Sequence, residues 1–225
     1  MGEPFVEITR VVSAEGYDMV LAGTRGAGKW AEFFVESTAK RLIRKCPASV
    51  WIVTAEHLVP PKVVLAATYL SDVSLKAVKE GLKIAQQSDA EFHLLPIIDS
   101  KDVPEDLISH IPACSSLPQE INEEATKRLG DSVASLAVDR TQIQSHVSWG
   151  TPWQEIRRIS KHQTANLLVI GTVGRGDIKG LLLGNTAARV LDTCVCSILT
   201  VKPDGFVSPI EPAFWPLHPG QSRNL

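Results

Sequence analysis

The stretch of this sequence best equipped for chemistry runs Gly171-Thr-Val173-Gly174-Arg-Gly-Asp-Ile-Lys-Gly-Leu-Leu-Leu-Gly184-Asn185-Thr186-Ala187. Glycines permit positive φ and let a bound group approach the backbone closely. Asn185 and Thr186 open a helical pattern, and the outward N–H groups of a helix start favour an anion. A phosphate there would accept bonds from backbone N–H groups and from the Thr186 hydroxyl. Any one glycine is explained by a tight strand–helix turn. The whole set, placed where α/β folds take ligands, points to a cradle for a small molecule.

Other chemical readings carry less. Gly23-Thr-Arg-Gly-Ala-Gly28-Lys29 satisfies G-x4-G-K, but Trp30 stands where a phosphate-binding loop needs a hydroxyl for Mg2+. His93, His110, His146 and Cys114 lack metal-ligand spacing, so no metal site is expected. Cys46, Cys114, Cys194 and Cys196 form no CxxC pair and read as packing thiols in a reducing compartment. No nucleophile–base–acid set is visible and no catalytic residue is assigned. An enzymatic role would be at most weak ATP hydrolysis.

The elements that position the glycine loop are legible from periodicity. Lys62–Thr68 is a buried strand. Ser71–Gln87 is a helix capped by Ser71 or Asp72. Glu91–Ile98 is a second strand, 99–117 an irregular loop, Gln119–Val138 a helix and Gln142–Ser148 a third strand. Thr151–His162 is a helix with Thr151 capping and Pro152 at its first position. Asn166–Ile170 and Ser197–Val201 are the last strands, with a helix from Asn185 between them. Strands alternating with helices predict an α/β, flavodoxin-like, doubly wound parallel sheet of order 3-2-1-4-5. Its ligand would lie outside the carboxyl ends of strands 1 and 4.

Residues 2–54 match residues 150–202 without a gap at an offset of 148, with 15 identities in 53 positions. Gly2 and Pro4 face Gly150 and Pro152, Gly23 and Gly26 face Gly171 and Gly174, and Cys46 faces Cys194. The chain therefore divides into a half-copy over 1–56, a linker over 57–61, a complete unit over 62–204 and an extended tail over 205–225. In the half-copy Glu36 and Ser37 stand where Gly184 and Asn185 stand, and a carboxylate at that helix start repels phosphate. No nucleotide is expected there.

Across 225 residues the formal net charge is -2, the hydrophobic fraction 44% and the charged fraction 21%. That balance gives no basic field for nucleic acid and enough apolar mass for a core. No uncharged apolar run approaches the roughly 20 residues of a membrane span, and the first residues lack a signal-peptide pattern. A cytoplasmic location is expected.

Gly171-x2-Gly174-x9-Gly184 followed by a small polar residue resembles the signature of universal stress proteins. The resemblance covers residues 62–202, and the upstream copy is similar to the tandem, E-type branch. It implies a stress-response module that binds ATP with Mg2+. The signature loop would hold phosphates and ribose through Gly171, Val173, Gly174, Gly184, Asn185, Thr186 and Ala187, beside Ile170. Adenine would meet Thr68, Tyr69 and Ile97. Two positions depart from the family pattern: Tyr69 replaces an acid on strand 1, and Asn185 replaces a serine. An apolar or acyl-bearing ligand, or a ligand-free dimerisation module, is the alternative. The resemblance also implies pairing of last strands, with Ile52 beside Ile198. The bare edge of the half-copy strand Met19–Ala22 predicts a homo-oligomer through that edge or through the last strands. A piece of a longer tandem protein is the other reading.

Overall fold

The computed structural model describes residues 2–23, 38–54, 60–69, 71–99, 101, 143–173, 183–194 and 196–211. The expected helix 119–138, most of the loop 99–117, Gly174, Leu181, Leu182, Glu36 and the G-x4-G-K residues after Gly23 lie outside them. So do His110, Cys114 and the end of the tail.

The chain begins with α1 (Pro4–Glu15), β1 (Met19–Gly23), α2 (Thr38–Lys45) and β2 (Ser49–Val53). Then come β3 (Val63–Thr68), α3 (Asp72–Ser88), β4 (Glu91–Asp99), β5 (Ile143–Ser145) and β6 (Ser148–Gly150). It closes with α4 (Pro152–His162), β7 (Leu167–Gly171), α5 (Asn185–Thr193) and β8 (Ser197–Val201). β1 and β7, and β2 and β8, have the same bounds once the offset of 148 is applied. One sheet runs β1-β2-β8-β7-β3-β4-β5, with β6 also on β4. Every pairing is parallel except β2 with β8, where Ile52 lies opposite Ile198. The stretch β5-β4-β3-β7-β8 is the expected order 3-2-1-4-5. Buried strands such as Val63–Thr68 are apolar on both faces because helices cover both sides.

Two core layers flank the sheet. One contains Phe5 and Val12 of α1, Leu42 and Ile43 of α2, Ile156 and Ile159 of α4, and Val190 and Leu191 of α5. The other lies under α3, around Ala77, Val78, Leu82, Val64, Val169 and Leu199. Lys202 is buried and caps the C-terminus of α2, its Nζ donating to the carbonyls of Ile43 and Arg44. A helix end needs such donors for its last carbonyls.

Two expectations change. The third strand is not continuous over 142–148: it is interrupted at His146 and Val147, in unchanged register with β4. The His146 N–H donates to the Leu94 carbonyl (2.8 Å), so Leu94, and Pro96 two residues on, face this side. Pro96 has no N–H to return to the His146 carbonyl, and the ladder opens there. Thr151 does occupy the N-cap position of α4, but its hydroxyl makes no capping bond. Ser71 does cap α3, in a reciprocal arrangement with Ser74.

Candidate ligand-binding site

The carboxyl ends of β3 and β7 are neighbours at the centre of the parallel stretch, and α3 and α5 start beside them. This is where connections leave in opposite directions and a crevice forms. The two ends of the glycine loop meet here. The Gly184 N–H donates to the Thr172 carbonyl at 2.7 Å. Thr172 is anchored in turn: its N–H and its hydroxyl both donate to the Val201 carbonyl, at 3.0 and 3.3 Å. Gly184 is the N-cap of α5 in extended backbone, and as a glycine it offers no side-chain cap. Among the described residues no capping side chain takes up the first-turn N–H groups after Gly184, the arrangement that suits an anion.

The β3–α3 turn is organised by Ser74, which sequence reasoning did not single out. Its Oγ accepts from the backbone N–H of Ser71 (3.0 Å) and Tyr69 (3.3 Å) and donates to the Ser71 carbonyl (2.8 Å). The Thr68 hydroxyl lies 2.9 Å from the same oxygen, so it is engaged in holding the turn. Gly171 is required by packing: a Cβ there would stand 2.9 Å from Val73 Cγ1 of α3. That glycine lets the start of α3 close over the end of β7.

Tyr69 leaves β3 and lies half-buried against the core layer that contains Ile97, Ile170, Leu183 and Ala187. Burial pushes its phenol well above the usual range. The Thr186 hydroxyl beside it pulls the other way, and the Asp99 carboxylate adds a smaller upward push. Thr186 does not close a well-formed hydrogen bond, so the phenol oxygen is buried without a partner among the described residues. Tyr69 and Thr186 therefore meet from the ends of β3 and α5, and Asp99 of β4 is near enough for its charge to act on the phenol. Asp99 was missed in the sequence reading. Its available signal was an acid at the carboxyl end of the strand next to strand 1.

The structure brings Thr68, Tyr69, Gly171, Val173, Gly184 and Thr186 to this mouth. Ile97, Ile170 and Ala187 are nearly fully buried beneath it, and Asn185 is exposed at the start of α5. Gly174 lies outside the described residues. Among the described residues no group of three metal-ligating side chains forms, and no helix is long and apolar enough to cross a membrane.

Comparison with known proteins agrees with this architecture. The universal stress protein E of Escherichia coli K12 is 30% identical over 233 residues, covering 92% of this chain and 68% of its own length. A universal stress protein of Methanocaldococcus jannaschii is 32% identical over 142 residues, covering 63% of this chain and 82% of its own. Among solved structures, a putative universal stress protein from Pseudomonas aeruginosa superposes with a TM-score of 0.68 at 22% identity, over 91% of this chain and 70% of that one. One from Archaeoglobus fulgidus gives 0.65 at 19%, over 89% and 67%. The profile of the universal stress protein family matches residues 1–54 and 61–202, and with the parallel sheet and glycine loop described above it makes this chain a member of that family.

Proposed function

We propose that this universal stress protein is a cytoplasmic stress-response module that holds an adenine nucleotide, ATP with Mg2+, at the mouth of β3 and β7. Residues 62–204 form the binding unit in this reading, and residues 1–56 are a partial tandem copy without a nucleotide. The observation that carries it is the 2.7 Å bond from Gly184 to Thr172, which draws both ends of the glycine loop to an uncapped helix start. Phosphates would lie against the first turn of α5 and the Thr186 hydroxyl. Asp99 would take the place of the strand acid that Tyr69 replaces: a carboxylate accepts from hydroxyl donors such as those of ribose.

Calorimetric titration with ATP and Mg2+ tests the reading. Binding tighter than about 100 μM, lost in Gly184→Glu, supports it. No heat at millimolar nucleotide, with the variant and the natural protein alike, overturns it.

A second reading takes an apolar or acyl-bearing ligand. It is favoured by the Tyr69 ring, which packs against the core layer that contains Ile97, Ile170 and Leu183 and offers an apolar face where the family pattern has a charge. A co-purifying lipid-like mass in native mass spectrometry, together with absent ATP binding, would select it.

A further inference from the structure

Two arginines related by the offset of 148 hold the same pose with different partners. In the half-copy, Arg41 of α2 lies over the Phe5 ring of α1, its Cζ 5.0 Å from the centroid. In the complete unit, Arg189 of α5 lies over the Trp153 ring of α4, its Cζ 5.6 Å from the centroid. Arg41 also holds a carboxylate: its guanidinium donates to Glu3 Oε1 at 2.7 Å, and Glu3 is the N-cap of α1. The counterpart of Glu3 is Thr151, the N-cap of α4. So the Arg189 guanidinium has the aromatic seat without the acid.

No other described side chain replaces that acid. Arg189 makes no side-chain hydrogen bond or ion pair among the described residues. α4 and α5 carry one acid each, and both are engaged elsewhere. Asp192 of α5 pairs with Lys40 at 3.2 Å. Glu155 of α4 accepts from Ser148 and from Arg158. The Thr151 side chain is neutral and makes no capping bond. An arginine stacked on an indole is pre-organised for an anion with several oxygens, because the ring fixes the plane of the fork and leaves its N–H edge free.

This seat adjoins the mouth of β3 and β7. Arg189 follows Asn185 by four residues and Thr186 by three, so the three are neighbours on the surface of α5. Helical side chains lean toward the N-terminus, which carries the guanidinium back toward the first turn. Trp153 lies in the first turn of α4. α4 and α5 pack side by side, both starting at the carboxyl ends of the strands. The guanidinium therefore stands between two helix starts, beside the turn that the phosphate reading uses.

We propose that Arg189, seated on Trp153, anchors the outer phosphates of a nucleoside polyphosphate and makes the site prefer di- and triphosphates over monophosphates. This rests on the nucleotide reading above. An innermost phosphate against the first turn of α5 leaves the outer ones to run along the surface toward α4. There the guanidinium donates to two phosphate oxygens at once. The outer phosphates take the place that the Glu3 carboxylate takes in the half-copy. The half-copy supplies its own anion, and the complete unit leaves that place to a ligand.

Calorimetric titration of the full chain with ATP, AMP and inorganic tripolyphosphate, all with Mg2+, tests the proposal. In Arg189→Gln the ratio of ATP to AMP affinity should fall about tenfold or more, and tripolyphosphate binding should fall with it. Thr151→Glu recreates the acid of the half-copy, so it should weaken ATP and tripolyphosphate as strongly while Arg189 is still in place. Thermal unfolding certifies that both variants are folded. Arg44→Gln removes an exposed charge from α2 and should hold the ratio within about twofold, which separates a contact from general charge. An unchanged ratio in Arg189→Gln, with ATP still bound, overturns the anchor and leaves the nucleotide reading standing. An equal loss in Arg44→Gln overturns the anchor too. Tripolyphosphate held through Arg189 without any binding of ATP removes the nucleotide reading and keeps Arg189 as a polyphosphate anchor. Absence of binding for all three removes both.

Discussion

His93 of β4 and His146, just past β5, meet head to head. Nδ1 of His93 lies 2.9 Å from Nε2 of His146, the ring centroids are 5.0 Å apart and the planes 19° from parallel. Near-coplanar rings at that separation point their nitrogens at each other, so one proton lies between them. Glu91 stands 3.4 Å from the other nitrogen of His93. Burial, then the neighbouring His93 and His162, hold the His146 pKa below its ordinary 6.5.

The pair makes the β4–β5 edge acid-sensitive. A histidine whose folded pKa is lowered binds its proton more readily when unfolded, so stability falls as pH drops below about 6.5. A second proton would also set two N–H groups face to face at 2.9 Å. Denaturant unfolding at pH 7.5 and pH 5.5 should show the loss, and His146→Gln should shrink it. Imidazole nitrogen spectra should report one shared proton at pH 7.5. Equal pH slopes in both proteins would refute the assignment.

Lys202 adds a dependence on the alkaline side. Burial pushes its pKa from the ordinary 10.5 down to about 8, with Cys46 pulling weakly back. The unfolded chain keeps that proton between pH 8 and 10.5 while the folded chain sheds it, so this group makes stability rise across that window. A shift of that size is on the order of 3 kcal/mol. Burial raises the Cys46 thiol, which acts in the opposite direction, so the quantity to measure is the difference between the natural protein and Lys202→Met. That difference should grow in favour of the natural protein from pH 8 to pH 10.5. A flat difference would remove the buried cation from the account.

Gly171→Ala should destabilise the chain by about 1–3 kcal/mol, the usual range for forcing a methyl into a packed site. The new Cβ meets Val73 Cγ1 at 2.9 Å and must displace the start of α3. Adding Val73→Ala should recover much of the loss, read as the midpoint of urea unfolding. A variant as stable as the natural protein would show that α3 yields freely.

Tyr69→Phe removes a buried hydroxyl that has no hydrogen-bond partner among the described residues, so its thermal midpoint should stay level or rise. Asp99→Asn keeps the shape and removes the charge beside that ring. If the carboxylate accepts from a nucleotide's hydroxyls, affinity should drop roughly tenfold, about 1.4 kcal/mol, with little change in stability. Unchanged ATP affinity in Asp99→Asn would exclude that contact.

Much of the complete unit could be read from residue order. Strands such as Leu167–Gly171 are apolar on both faces, and only a sheet covered on both sides buries them. The glycine spacing located the mouth because loops of this kind close only at strand–helix junctions. The role of Ser74 was not legible: a serine in the first turn of a helix can cap, face solvent or serve as a hub, and only the path of Tyr69 and Ser71 around it decides. Asp99 looked like an ordinary strand-end acid until the sheet order brought its charge within reach of the Tyr69 phenol.

Local pattern alone determined the elements, the order of the parallel strands and the recurrence at 148 residues, because periodicity and turn chemistry act over a few neighbours. Tertiary contact alone decided where the third strand breaks, because Pro96 has no N–H to give to a residue 50 positions on. It decided likewise that Lys202 closes the end of α2. It decided, too, that Ile8, Val11 and Leu21 stay open to water while their counterparts lie inside. Burial belongs to whatever packs against a side chain, and the same type of residue is core or surface according to its neighbour.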